Sequence, residues 1–224
     1  MSVLAPHLRV SVGDVASRVV LVRRPEQVEE LAGLLEQPRD VARGRGFRTV
    51  NGSWRGRRIS ILSVGLGGPS VSIGLEEAIA AGGRSFVMLE ALWSPWRSPD
   101  VLLVVAAERR DGTSREYFPL ELPAVPETAL ATAALRRGRA SGTSVRGISV
   151  RTVDRVYGSE FDEGEPVRDL SAGLVYPLCR ARGARAVVLG RATDLTGMAA
   201  GLTGEDLLGL GSLALEVLEE SRDD

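Results

Sequence analysis

The chain contains no lysine; all 28 of its basic residues are arginine. They are scattered among 29 acidic residues, and the formal net charge is −1. No tract of one sign stands ready to attract nucleic acid or an anionic membrane surface. Cysteine and histidine are nearly missing as well. A single cysteine, Cys179, excludes a disulfide framework within the chain, and one histidine, His7, cannot build a Cys/His metal cluster with it. Cys179 falls inside an apolar helical pattern and reads as a buried structural thiol. Long apolar runs are also lacking: none approaches the roughly 20 residues that a bilayer-spanning helix needs. The opening stretch MSVLAPHLRV has no charged segment followed by an apolar one. A cytoplasmic protein with no membrane or nucleic-acid partner is expected.

What is present suits one folded unit over residues 1–224, with 44% apolar and 25% charged residues, large enough to bury a core unaided. Short β-rich runs alternate with helical patterns. Strands are predicted at Val19–Val22, Phe47–Val50, Arg58–Val64, Ser85–Leu89, Val101–Ala107, Arg146–Arg151 and Ala186–Arg191. Several are continuous apolar runs, as in strands buried on both faces. Helices are predicted at Pro25–Glu36, Pro69–Ala81, Val125–Arg137, Ser171–Ala181 and Gly204–Ser221. Pro25 opens the first of these, where a missing N–H costs nothing. Tyr157–Asp169, with Gly158, Gly164, Pro166 and several acids, reads as a loop. The alternation argues for a layered α/β fold.

Three motifs carry chemistry. In VGLGGPSVSIGLEEAIAAGG, a strand ends at Val64, Gly65, Gly67 and Gly68 form a tight turn, and Pro69 follows in a helix. Such a junction leaves backbone N–H groups near a helix N-terminus, where an anion or polar ligand can bind. The spacing matches neither the dinucleotide fingerprint nor the phosphate-loop motif. Asp194 follows the apolar run Ala186–Gly190 and so sits at a strand end, the usual place for ligands in α/β sheets; a turn or capping Asp is the other reading of it. Asp111–Gly112, in DGTSREYFPLELPAV, is a turn signal.

In this order, these stretches resemble the nucleoside phosphorylase family, and its uridine phosphorylases most of all. PHLRVSVGDVASRVVLVRRPEQVEELA is similar to the family's N-terminal segment, and GFRTVNGSWRGRRISILSVGLGGPSVSIGLEEA to the next hairpin, strand and Gly-Gly-Pro-Ser turn. DGTSREYFPLELPAV and RAVVLGRATD resemble two later segments. The resemblance implies a single α/β domain whose central mixed sheet curls into a partial barrel flanked by helices. It implies a homodimer or higher homo-oligomer, a nucleoside or base as small-molecule partner, and no cofactor beyond inorganic phosphate as co-substrate. The implied reaction is cleavage of a ribosyl–base bond, with a pyrimidine nucleoside as substrate.

Residue by residue, the resemblance places His7 at the ribose, Arg45 at phosphate across a subunit interface, and Asp194 as general acid. Gly67 belongs to the Gly-rich turn, and Ser171 stands where the family has a ribose-binding Glu. Tyr157 is a further candidate for contact with the nucleoside. Arg23 and Arg45 are the candidate phosphate cations. The sequence also departs from the pattern. The phosphate turn Gly-Asp-Pro is Arg23-Arg24-Pro25, one phosphate Arg is Gln27, and another is Met88. Glu90-Ala91-Leu92-Trp93 replaces Gly-Thr-Thr-Gly, and the base-reading positions fall on Glu160 and Asp162. Asp169 is expected on the helix, facing away from the site. Reduced or altered activity is expected; the alternative is an inactive homologue that binds a small ligand or another subunit.

Overall fold

The computed structural model describes residues 5–157 and 166–221, apart from the side chain of Ala199. Nine strands form one sheet in the order β2-β3-β4-β1-β5-β8-β7-β6-β9. At its centre β1 (Arg18–Val22) lies parallel to β4 (Arg57–Ser63) on one side and to β5 (Ser85–Trp93) on the other. β5 also runs parallel to β9 (Arg185–Thr193). β9 pairs antiparallel with β6 (Val101–Arg109), and β6 pairs parallel with β7 (Val145–Thr152). β7 in turn pairs with β8 (Val167–Asp169), which meets β5 again at Trp93 through Arg168. The ring β5-β8-β7-β6-β9 therefore closes, and the curling expected of the sheet goes to completion as a five-stranded barrel. The other four strands extend from it.

Both faces of the sheet are covered, which explains the unbroken apolar runs. Val19 and Leu21 of β1 join Phe86, Met88 and Leu92 of β5 in one core layer, under α2 (Gly67–Ala80) and α5 (Ala172–Ala181). Val20, Val22, Val87 and Leu89 point to the other layer, under α1 (Pro25–Ala32), α4 (Thr128–Ala140) and α7 (Gly204–Glu219). This period-two division between the layers is ordinary strand geometry. Cys179 is buried in the first layer, and burial raises its thiol pKa well above the usual range.

Several boundaries differ from those predicted. The first helix ends at Ala32, and Gly33 begins a turn that drops Leu35 into the core. Leu35 packs so closely on β3 (Phe47–Trp54) that a Cβ on Gly52 would lie 2.8 Å from its side chain. The chain then enters β2 (Glu36–Gly44), a strand not predicted because EQPRDVARG is polar and holds Pro38. β2 is an edge strand with an exposed first half, where proline and charge are tolerated. Its sequence reflects exposure rather than disorder. β8 lies inside the predicted loop Tyr157–Asp169; Glu160 and Asp162 of that loop are outside the described residues.

Two short helices also appear. α3 (Gly112–Tyr117) begins where a turn is predicted, because Asp111 caps it by accepting from Ser114 N–H at 2.6 Å. Buried Arg109 then ties down the following segment through the carbonyls of Ser114, Phe118, Pro119 and Leu122, at 2.5 to 3.1 Å. α6 (Leu195–Ala200) follows β9. No helix among the described residues is long and apolar enough to cross a membrane.

Candidate active site

The carboxyl ends of β1, β4 and β5 come together because these strands are parallel. β1 continues into Arg23, and β5 runs past Leu89 to Glu90. Period two puts Glu90 on the same face as Met88 and Leu92, so its carboxylate points into the core layer under α2 and α5. A buried carboxylate there needs a partner, and Arg23 supplies it. Arg23 Nε donates to Glu90 Oε2 at 2.8 Å, and Arg23 Nη2 donates to Glu90 Oε1. The two side chains are only 6% and 4% exposed. The bidentate geometry is the strong form of this interaction. This pairing also explains why the predicted strand stopped too early: Glu90 reads as a strand end, but once neutralised it lets β5 continue to Trp93.

The remaining hydrogen bonds of the pair are filled locally. Ser171 Oγ donates to Glu90 Oε1 at 2.7 Å and accepts from Arg23 Nη2 at 3.0 Å, with Met88 Sδ at 3.5 Å. Arg23 Nη1 donates to the carbonyl of Gly65 at 3.3 Å. Gly65 and Gly67 have φ of 76° and 77°, a left-handed geometry that favours glycine and turns the chain into α2. Asp169 lies beside Ser171. It is the last residue of β8, not a helical residue facing away as predicted, and its buried carboxylate accepts from the N–H groups of Ser171 and Ala172 at 2.9 and 2.5 Å and from Thr152 Oγ1 at 2.5 Å. Burial raises the pKa of Glu90 and of Asp169; Arg23 opposes this at Glu90, and the Thr152 hydroxyl and the two amides oppose it at Asp169.

At the start of α1 a second internal acceptor is in place. Gln27 Oε1 accepts from the backbone N–H groups of both Arg23 and Arg24, at 3.0 Å each, and Gln27 Nε2 donates to the carbonyl of Leu202 at 2.9 Å. The N–H groups of Arg23 and Arg24, just ahead of this helix terminus, are thus already satisfied. The cavity bounded by Arg23, Arg24, Gln27, Leu66, Glu90 and Met198 is about 20 Å³. That holds about one water molecule, against roughly 300 Å³ or more for a small-molecule pocket.

Of the predicted site residues, Arg23, Gly67 and Ser171 lie together at this end of the sheet. The others are placed elsewhere. His7 Nδ1 is 2.6 Å from Glu77 Oε1, and the carboxylate of Glu77 also accepts from the backbone N–H groups of His7 and Leu8, so His7 fastens the N-terminal segment to α2. Arg45 is exposed in the tight turn between β2 and β3, with φ of 53°. Tyr157 is 75% exposed. Asp194 caps α6, accepting from Gly197 N–H at 2.7 Å, and pairs with Arg97 at 2.5 Å. The Gly197 amide, then Arg97, hold its carboxyl below the usual range, the reverse of what a general acid near neutrality needs. A wider groove of about 520 Å³, between α4 and the end of α7, opens beside Arg185 at the other end of the strands and contains none of the predicted residues. Sequence reading flagged Glu90 and Gln27 only as departures. Their roles as internal partners depend on which strands become neighbours.

The architecture defines the class first. A uridine phosphorylase from Vibrio fischeri superposes with a TM-score of 0.88, 22% identity and 99% coverage of both chains. A purine nucleoside phosphorylase from Toxoplasma gondii, in complex with immucillin-H, superposes at 0.83 with 22% identity, covering 97% of this chain and 94% of its own. This is the nucleoside phosphorylase fold. No protein-family model matches the chain. Among curated proteins, the uridine phosphorylase of Thermococcus kodakarensis is 33% identical over 164 residues, 71% of this chain and 58% of its own. The uridine phosphorylase of Treponema pallidum is 34% identical over 169 residues, 72% of this chain and 64% of its own. A guanosine phosphorylase of Halorubrum lacusprofundi is 28% identical over 191 residues, 81% and 79% of the two chains. The chain belongs to the nucleoside phosphorylase family. Its sequence match spans about three fifths of the length of these two uridine phosphorylases.

Proposed function

We propose that the protein is a nucleoside phosphorylase-type protein, directed at a pyrimidine nucleoside, whose phosphorolysis is strongly reduced because its anion subsite is closed from within. The observation that carries this reading is the Arg23–Glu90 pair. The guanidinium that could grip phosphate already holds a carboxylate, and the Arg23 and Arg24 amides ahead of α1 already hold Gln27. Two charge-assisted contacts unavailable to phosphate, at roughly 1.5–3 kcal/mol each, correspond to a rate loss of about 10²- to 10⁴-fold. In this reading the protein is a cytoplasmic homo-oligomer that needs no cofactor, and phosphate is its co-substrate in any residual reaction. His7, Arg45, Gly67, Ser171 and Tyr157 are the nucleoside contacts and Arg45 the standing phosphate contact. Arg23 contacts phosphate, and Asp194 serves as acid, only in the residual turnovers in which Glu90 and the Gly197 and Arg97 contacts have released them.

The test is release of free base from uridine, inosine and methylthioadenosine, with and without phosphate, beside a uridine phosphorylase. Release at least about a hundredfold slower than that enzyme is expected. Phosphate-dependent release at a comparable rate would overturn the proposal. The small size of the cavity favours a second reading, an inactive homologue that serves as a ligand-binding or subunit-interaction protein. That reading predicts no release from any nucleoside, with or without phosphate.

A further inference from the structure

We infer that Glu90 is a tethered anion and that the space it fills is a carboxylate-binding site, built by Arg23 and Ser171 and masked by the chain's own side chain. This rests on the reading above that the subsite is closed from within. The site has a buried cation with its donors converging on two oxygens, 2.8 Å for the Arg23 Nε contact and 2.7 Å for the Ser171 hydroxyl. Arg23 is fixed from behind by the Gly65 carbonyl, and its own backbone N–H is held by Gln27. Ser171 is fixed by the amide-to-Asp169 bond at the start of α5. The donors are therefore held by groups other than Glu90, and they keep their positions when the carboxylate is removed.

The ligand class follows from the atoms. Glu90→Ala deletes Cγ, Cδ and both carboxylate oxygens, which are the non-hydrogen atoms of acetate. The vacated space matches acetate in size, charge and fork geometry. Met88, on the same face of β5, borders it, with Sδ 3.5 Å from Ser171 Oγ. A tetrahedral dianion is larger and brings a second charge next to Asp169, so phosphate and sulfate bind more weakly than acetate. Leaving the space empty strands a buried guanidinium, and acetate then stabilises the variant by binding its folded state.

The experiment is thermal unfolding of wild type, Glu90→Ala and the Arg23→Met/Glu90→Ala double variant. Each is titrated with sodium acetate, phosphate or sulfate against chloride at constant ionic strength. Glu90→Ala is expected to melt below wild type and to regain several degrees, saturably, in acetate. Wild type and the double variant show no acetate-specific shift. If Glu90→Ala does not fold in chloride, acetate-dependent refolding supports the inference, and a chain that stays unfolded at every acetate concentration overturns it. A Glu90→Ala shift that is absent, or matched in the double variant, overturns it too. Phosphate-dependent turnover by wild type would instead bring down the proposed function, whatever acetate does, so the two failures are distinguishable.

Discussion

Two Arg–carboxylate pairs stand at the ends of neighbouring strands and have nearly opposite weight. Arg23–Glu90 is enclosed, with side chains 6% and 4% exposed, whereas Arg97–Asp194 lies in solvent at 74% and 54%. The contact chemistry is the same; the surroundings differ. In the buried pair each charge has given up its water, so each depends on the other and on Ser171. In the exposed pair, water and salt do most of the screening, and the main work of Asp194 is to cap α6.

The largest effect expected from breaking this contrast is at Glu90. Glu90→Gln keeps the shape, strands the Arg23 charge and should cost about 3–5 kcal/mol in urea unfolding. The Arg23→Met/Glu90→Met double variant removes both charges and should come within about 1.5 kcal/mol of wild type or exceed it. If the double variant is as unstable as the single one, the pair contributes packing rather than charge pairing.

A smaller effect should appear with pH. Burial raises the pKa of Glu90 and Asp169. A folded-state pKa above the unfolded one gives stability that is complete below the unfolded value, near 4 for a carboxylate, and lost as pH rises through the folded value. Wild type should therefore lose stability relative to the Met/Met variant as pH rises above the unfolded carboxylate value and through the folded pKa of Glu90, Asp169 being common to both proteins. A difference that stays flat, or grows with pH, would show that the pull of Arg23 on Glu90 exceeds the desolvation. Glu108, held low chiefly by its hydrogen bond from Arg151, works in the opposite sense: its contribution is present above the unfolded pKa and lost as pH falls through the folded one.

The smallest effect is at the exposed pair. Arg97→Ala should leave the denaturation midpoint unchanged within error, since the cap on Gly197 N–H survives. A measurable loss would mean that Arg97 organises more of the β9–α6 junction than its exposure indicates.

The central strands were legible in the sequence because burial on both faces writes a continuous apolar run, as in β1 and the first part of β5. The edge strand β2 was not, because exposure lets it carry Glu36, Pro38, Arg39 and Asp40. The end of β5 was misjudged for a related reason. A glutamate ends an apolar run on paper, but in the fold an arginine from a neighbouring strand neutralises it. Of the site, Arg23, Ser171 and the Gly-rich turn, singled out in the sequence, do lie together in the fold. That Asp169 faces inward could not, because its direction depends on where the short strand β8 stops and α5 starts.

By itself, then, the sequence determined the family resemblance and the layering, since these follow from local pattern and residue type. Only the tertiary structure decided that Arg23 is buried against Glu90 rather than open at the strand end. Arg23 and Glu90 are 67 residues apart in the chain, and nothing local to either one specifies their meeting. Parallel pairing of β1 with β5 brings the two strand ends together, and the cost of burying either charge alone makes each the other's partner.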